Sequence, residues 1–248
     1  MSDIARAAEI GMLTDTERLR VIGHNLANVG TVGFKREMGI MSPFEARLLR
    51  SSGPSAGDSS SRLMSTYTDH TPGTLTRTGN PLDLAIEGDA YFAIETGAID
   101  TGQQEEAYTR QGTFRLNANG ELVTSGGQRV VMTSGDVRLS SPAPQIDGQG
   151  NIRDNGTLVG QLKLVTVARP NDLQQIGDGL YALADSGSAQ ISESARVRQG
   201  FTEAANVVSM NEMVALMETV RHFETSQKVL QGYDAMLDRA ITDLGSTQ

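Results

Sequence analysis

Apolar residues recur with a helical period at both ends of this 248-residue chain and with a period of two between them. That change of period restricts the fold more than any other feature, because a stripe repeating every 3.6 residues cannot line one face of a pleated strand. From Ile4 to about Asn28 the stripe is Ile4, Ala8, Met12, Leu19, Ile22 and Leu26, with Arg6, Glu9, Glu17, Arg18 and Arg20 mostly off it and no proline to interrupt it. Toward the other end Leu216, Phe223, Leu230, Leu237 and Leu244 stand seven residues apart, and Met213, Val220 and Ile241 precede three of them by three positions. This spacing predicts a heptad seam, polar at Gln227 and Asp234. Gly232 weakens it further, by about 1 kcal/mol relative to alanine.

Between about Gly73 and Gly200 the pattern alternates. Leu82, Leu84 and Ile86 alternate with polar or small residues, as do Phe92 and Ile94, Phe114 and Leu116, and Leu158, Leu162 and Leu164, with Val165 and Val167 following. Turn signals separate these runs at Gly79-Asn80-Pro81, Glu87-Gly88-Asp89, Asn119-Gly120, Ser125-Gly126-Gly127, Asp147-Gly148, Asn155-Gly156 and Asp178-Gly179. Short strands at this spacing predict an antiparallel β-domain. Before it, Gly30, Gly33, Gly39, Pro43 and a run from Ser51 to Ser61 rich in Ser, Gly, Pro and Ala read as an extended or mobile connector. The expected fold is therefore mainly β with terminal α-helices: an antiparallel β-barrel or sandwich-like domain flanked by N- and C-terminal helices that form a coiled coil. The expected order is an N-terminal assembly helix and joint (1–35), a Ser/Gly-rich connector (36–72), the β-domain (73–200) and a C-terminal assembly helix (201–248).

Composition narrows the function. Twenty-one Lys and Arg against 30 Asp and Glu give a net charge of −9, which disfavours nucleic acid and anionic membranes as partners. Eleven aromatics, five Tyr and six Phe with no Trp, argue against one thick core. A chain that is 38% hydrophobic and 21% charged is nonetheless too apolar to stay disordered throughout. The absence of cysteine excludes disulfides and thiol catalysis. No stretch approaches the roughly 18 apolar residues of a spanning helix, so direct membrane insertion is not expected. The first residues lack a basic region followed by an apolar one, and the expected location is cytoplasmic or reached by a route that reads no cleavable signal.

The terminal stripes need covering. If each leucine-class side chain contributes about 1.5 to 3 kcal/mol on burial, the five heptad positions of the C-terminal helix represent on the order of 10 kcal/mol. The nearest partner is the N-terminal helix and the next is a neighbouring copy, so the ends read as assembly elements. From Glu203 to Gln248 seven acids face three bases, whereas the first 37 residues balance five against five, which permits packing but gives little steering.

Chemistry is sparse. His24, His70 and His222 lie in different textures, and only His222 has a possible co-ligand one helical turn away, Glu218, so no metal site is expected. Asp147, Gln149 and Asn151 alternate like the start of a calcium loop, but Leu158 stands at the twelfth place, and a polar hairpin turn accounts for them better. There is no nucleophile elbow, phosphate loop or dinucleotide fingerprint. No catalytic residue, cofactor or metal is expected. Asn25 and Asn28 can bond exposed carbonyls or adopt left-handed conformations at a helix end, Gly30 and Gly33 permit a sharp exit, and Phe34 can anchor the emerging chain.

The segment Gly23-His24-Asn25-Leu26-Ala27-Asn28-Val29-Gly30-Thr31-Val32-Gly33-Phe34-Lys35 resembles the N-terminal signature of bacterial flagellar rod and hook proteins. Gly30 and Val32 depart from it, standing where the family usually has Asn and Pro. Thr78 to Phe92, Tyr108 to Phe114, Asn119 to Thr124, and the tail from Gln199 through Glu203, Asn206 and Glu212 to Thr219 resemble later segments of the same family. The resemblance spans nearly the whole chain. It implies a structural subunit of the basal-body rod, in its proximal part, with the distal rod as the alternative, polymerising helically into a hollow drive shaft that carries torque from motor to hook.

The implied assembly interface is Ile4, Ala8, Met12, Leu19, Ile22, Asn25, Leu26, Asn28, Met213, Leu216, Val220, Phe223, Leu230, Leu237 and Ile241, with a joint at Gly30, Gly33 and Phe34. The implied partners are further copies, adjacent proximal- and distal-rod subunits, and the flagellar type III export apparatus. The implied location is the periplasm-spanning basal body. A secreted β-rich adhesin with a helical stalk and a cytoplasmic enzyme built from scattered acids are the readings from other classes.

Overall fold

The computed structural model describes residues 3–41, 64–96, 105–184, 187–192 and 194–245. The chain forms two units, one of Met1–Ala27, Glu37–Asp69 and Val207–Gln248, the other of Asn28–Arg36 and His70–Asn206.

The first unit contains helix α1 (Asp3–Ala27), strands β1 (Glu37–Met41) and β2 (Met64–Thr68), and helix α2 (Ser209–Gly245). The uninterrupted apolar period of α1 ends at the turn closed by Thr31 N–H on the Asn28 carbonyl, 3.0 Å away. Helix α2 opens with Glu212 in its first turn, where a carboxylate complements the helix dipole. Gly11 lies beside Ser226, Asp15 meets His222 and Asn25 reaches Glu212. These pairs share one residue-number sum, 237, and so fix the two helices antiparallel. At that register about three turns of α2 extend beyond the described start of α1. Within the stretch expected as a connector, β1 and β2 pair antiparallel from Glu37 opposite Thr68 to Met41 opposite Met64. The Ser51 to Ser61 run lies outside the described residues.

The second unit is built of short antiparallel strands. They begin with β3 (Leu75–Arg77), β4 (Leu84–Glu87), β5 (Ala90–Thr96), β6 (Glu105–Thr109), β7 (Arg115–Leu116), β8 (Leu122–Val123) and β9 (Arg129–Val130). They continue with β10 (Gln145–Ile146), β11 (Asn151–Asp154), β12 (Thr157–Gln161), β13 (Leu164–Val167), β14 (Leu173–Gly177), β15 (Leu180–Leu183) and β16 (Ala189–Ile191). The last are β17 (Arg196–Gln199) and β18 (Phe201–Glu203). The largest sheet runs β14-β15-β6-β5-β9-β8-β7, with β13 pairing both β5 and β16. None of the sheets among the described residues closes into a barrel.

Strand β5 is the pivot. Its pleat sends Phe92 and Ile94 into one apolar cluster, with Leu84, Phe114 and Leu122, and Tyr91 and Ala93 into a second, with Tyr108, Val165 and Tyr181. Two modest cores on opposite faces suit a chain poor in aromatics. The first and last strands of the unit meet, β3 pairing β18 and β4 pairing β17, so the sheet edges near its chain ends are closed by each other.

Turn chemistry sets the remaining register. Asn155 (φ 50°) and Gly156 (φ 83°) link β11 to β12, as an Asn-Gly hairpin requires. A bulge between Ile152 and Arg153 then shifts the alternation, so Leu158, expected inward, is 58% exposed while Gly160 faces Val137. Asp147 closes its turn by accepting from the backbone N–H groups of Gln149 and Asn151 and from the Asn151 side chain.

Candidate assembly surfaces and a buried clasp

In the helical unit the buried side of α2 is not quite the one the heptads suggest. Leu216, Phe223 and Leu230 are half-buried, as expected, but the positions completing the seam are Glu212, Thr219, Ser226 and Tyr233. The predicted seam partners Met213 and Val220 are exposed, one residue further round. Gln227 and Asp234 are exposed as well, so they interrupt nothing. The shift follows from small and polar groups at the contact. Gly11 lies beside Ser226, and Asp15, almost fully buried, accepts a 2.5 Å bond from His222.

On α1, Ala8, Met12, Leu19 and Leu26 are half-buried and Ile22 is buried. The side chains of Ile4, Leu237 and Ile241 fall outside the described residues. Asn25 is buried and its amide treats Glu37 as a strand would, donating to the Glu37 carbonyl and accepting its N–H, each at 2.8 Å.

The displaced seam leaves a second apolar stripe on α2. Met210, Met213, Val214, Met217 and Val220 are 67%, 45%, 44%, 54% and 38% exposed. Spacings of three and four place them on one face. A contiguous exposed apolar stripe marks an interaction surface.

In the β unit the joint residues divide. Gly33 has φ 69°, and a Cβ there would stand 2.5 Å from the Arg110 carbonyl carbon and oxygen, so only glycine fits. Phe34 is buried and its N–H bonds the Thr31 carbonyl. Gly30, expected to shape the exit, is exposed, has no positive φ and would accept a side chain freely; the turn at Thr31 makes the bend instead. Asn28 is half-buried, and neither it nor Asn25 is left-handed.

Beside Gly33 lies an ionic clasp. Glu203 accepts from Lys35 Nζ at 2.5 Å and from Arg110 at 3.2 Å, all three side chains being at most 1% exposed. The Gly73 N–H donates to the same carboxylate at 2.8 Å, and the Gly33 N–H donates to the Glu203 carbonyl at 2.7 Å. Lys35 also donates to the Thr71 carbonyl and Arg110 to that of Gly88. The Asn206 side chain accepts from Arg36 N–H and donates to the Thr71 carbonyl, so three segments, Phe34–Arg36, Thr71–Gly73 and Glu203–Asn206, are gathered at one point.

The Arg110 guanidinium stacks over Tyr91, 4.9 Å from the ring centroid, and the Tyr91 hydroxyl bonds His70 Nδ1 at 2.7 Å. Burial pushes the Tyr91 phenol up to about 12 despite the opposing pull of Arg110. A buried network of this kind contributes little net stability but is costly to break. Sequence alone missed Arg110, Glu203 and Asn206. The available signal was an isolated charge beside a buried strand residue at Phe34-Lys35 and Thr202-Glu203.

The β unit also has a cavity of about 360 Å³ with Glu95, Glu106, Glu121, Arg129 and Asp136 in its wall. Its carboxylates are engaged, Glu95 and Glu121 by Arg129 and Glu106 by Lys163. The Asn117 amide, then Arg129, hold Glu121 below the usual carboxylate range. This is structural ion pairing.

Known proteins share segments of this chain. Residues 198–243 match the family described as flagellar basal body rod FlgEFG protein C-terminal, and residues 85–167 match that described as flagellar hook protein FlgE/F/G D1 domain. The flagellar basal-body rod protein FlgF of Mesorhizobium japonicum is 32% identical over 250 aligned positions, covering 99% of each chain. The rod protein FlgG of Bacillus subtilis is 30% identical over 260 positions, covering 93% of this chain and 95% of its own. FlgF of Caulobacter vibrioides is 30% identical, covering 94% of each.

Proposed function

This chain belongs to the flagellar basal-body rod protein family, a structural and non-enzymatic family of the flagellar basal body, and from that premise we propose that it is a proximal-rod subunit of the FlgF type. The observation that carries the reading is the second apolar stripe of α2, Met210 to Val220, which α1 does not cover. Its occupant is the helical surface of a neighbouring rod subunit, a further copy or an adjacent rod protein. Each subunit then presents one face to its own α1 and another to its neighbour. A heterologous contact repeated this way propagates into a helical polymer rather than closing into a dimer.

Such a polymer resists shear at every contact, which is what transmitting torque from motor to hook requires. Ala8, Met12, Leu19, Ile22, Leu26, Leu216, Phe223 and Leu230 form the coiled-coil side of the interface, and Met213 and Val220 its outer side. The proximal assignment is supported by alignment length. The FlgF match needs 250 positions for nearly all of 248 residues, whereas the FlgG match needs 260 for 93% of them. The alternative is a distal-rod subunit of the FlgG type. Export through the flagellar type III apparatus belongs to the same reading. Helices whose outer faces find cover only in the polymer cost little to keep unfolded during transit.

The test is the double substitution Met213→Asp with Met217→Asp, introduced into the chromosomal gene. The purified variant keeps its helical content and its β-unit melting, and the cells lose swimming and rod assembly. Normal swimming would overturn the reading.

A further inference from the structure

Three of the five residues on the outer stripe of α2 are methionines, and the chain holds no cysteine to intercept oxidants before them. We propose that Met210, Met213 and Met217 form an oxidation-sensitive surface, whose conversion to methionine sulfoxides blocks docking of a neighbouring subunit. The proposal rests on the assembly reading above and adds a means of regulating it. The oxidant class is a peroxide. Its O–O bond breaks as one oxygen transfers to the thioether sulfur, each sulfur losing two electrons and each hydrogen peroxide leaving as water. Sulfoxide reductases reverse the change, so the surface can be switched in both directions.

Geometry makes these sulfurs a set. Spacings of three and four place them on one face, each about half exposed or more, so peroxide reaches them in the free chain. Each sulfoxide adds a strong acceptor to a surface whose value lies in being apolar, and burying it against a neighbour without a donor is unfavourable. The same chain carries two internal references. Met236 is 64% exposed but lies 19 residues beyond Met217, about 28 Å further along the helix and past the end of the stripe. Met132 is buried in the β unit.

The experiment uses the full chain and hydrogen peroxide. Free protein is partly oxidised, concentrated and separated by sedimentation into monomeric and associated fractions, and sulfoxide at each methionine is measured in both by mass spectrometry. Met210, Met213, Met217 and Met236 are expected to oxidise at least about tenfold faster than Met132. Sulfoxide at Met210, Met213 and Met217 is expected to be enriched about fivefold or more in the monomeric fraction, with Met236 distributed equally. Treatment with a sulfoxide reductase returns that fraction to association. Equal sulfoxide at the three positions in both fractions, or oxidation no faster than at Met132, overturns the proposal. An untreated chain that stays monomeric at every concentration contradicts the self-assembly part of the underlying reading instead.

Discussion

Strand β5 and helix α2 bury their side chains in opposite ways. In β5, Ala90, Phe92, Ala93 and Ile94 are wholly inaccessible and Tyr91 nearly so, because neighbouring strands and two apolar clusters cover both faces. In α2, the buried residues among those whose side chains are described are Glu212 and Thr219, both polar, while the apolar ones stay half-buried or exposed. The β unit buries the apolar side chains of its central strand, and the helical unit leaves an apolar stripe of α2 exposed. A regular backbone and a completed core are separate properties: α2 has the first without the second.

Substitutions sharpen that contrast. The largest effect is expected at the clasp. Glu203→Ala leaves Lys35 and Arg110 buried beside no counter-charge and should destabilise the β unit by about 3–5 kcal/mol in chemical denaturation. A loss below about 1 kcal/mol would mean that the three charges are solvated in solution. Next, Gly33→Ala meets both a left-handed backbone and the Arg110 carbonyl, and should cost about 2–3 kcal/mol. Gly30→Ala, three residues away in open space, should stay within about 0.5 kcal/mol.

In the helical unit, Asn25→Ala removes both bonds to the Glu37 backbone and should cost about 1–3 kcal/mol, read from the loss of helix protection in hydrogen exchange. An unchanged α1 would show that β1 is held in place without it. The smallest effect is expected on the outer stripe. Met213→Asp should alter the stability of the isolated chain by no more than about 0.5 kcal/mol, because its side chain stands 45% exposed on the outer face of α2 among the described residues.

In the β unit, burial of Tyr91 sets a pH dependence. Tyr91 ionises near 12 in the folded β unit, against 10 for a free phenol, so the fold prefers its neutral form. Its contribution is complete below about pH 10 and is lost as pH rises from 10 toward 12. Alkaline titration followed by tyrosinate absorbance should show Tyr91 titrating late and coupled to β-unit unfolding, with Tyr108, also raised by its burial and by Glu106, titrating above the free phenols. Substituting Tyr91 by Phe should remove that late step.

Much of this was readable beforehand because period and turn chemistry are local. The two helices, the alternating strands and the Asn155-Gly156 hairpin follow from spacing and from glycine's conformational freedom. What escaped the sequence depends on pairings between distant residues. A single bulge beside Arg153 turned Leu158 outward, and the choice of Ser226 against Gly11 moved the α2 seam by one position, exposing Met213 and Val220. The clasp was hidden for the same reason: Lys35, Arg110 and Glu203 are 75 and 93 residues apart in sequence, and each alone looks like an ordinary charge. The Glu37–Met41 and Met64–Thr68 pairing was hidden by the run of small and polar residues between the two strands.

Native-state hydrogen exchange on the dilute full chain separates a self-completed β unit from helices that rely on neighbours for cover. Amides of β5 and β6 should be protected close to the global unfolding limit, and amides of α1 and α2 should exchange at least about a thousandfold faster through local opening. Helix amides as protected as those of β5 in the isolated subunit would contradict it.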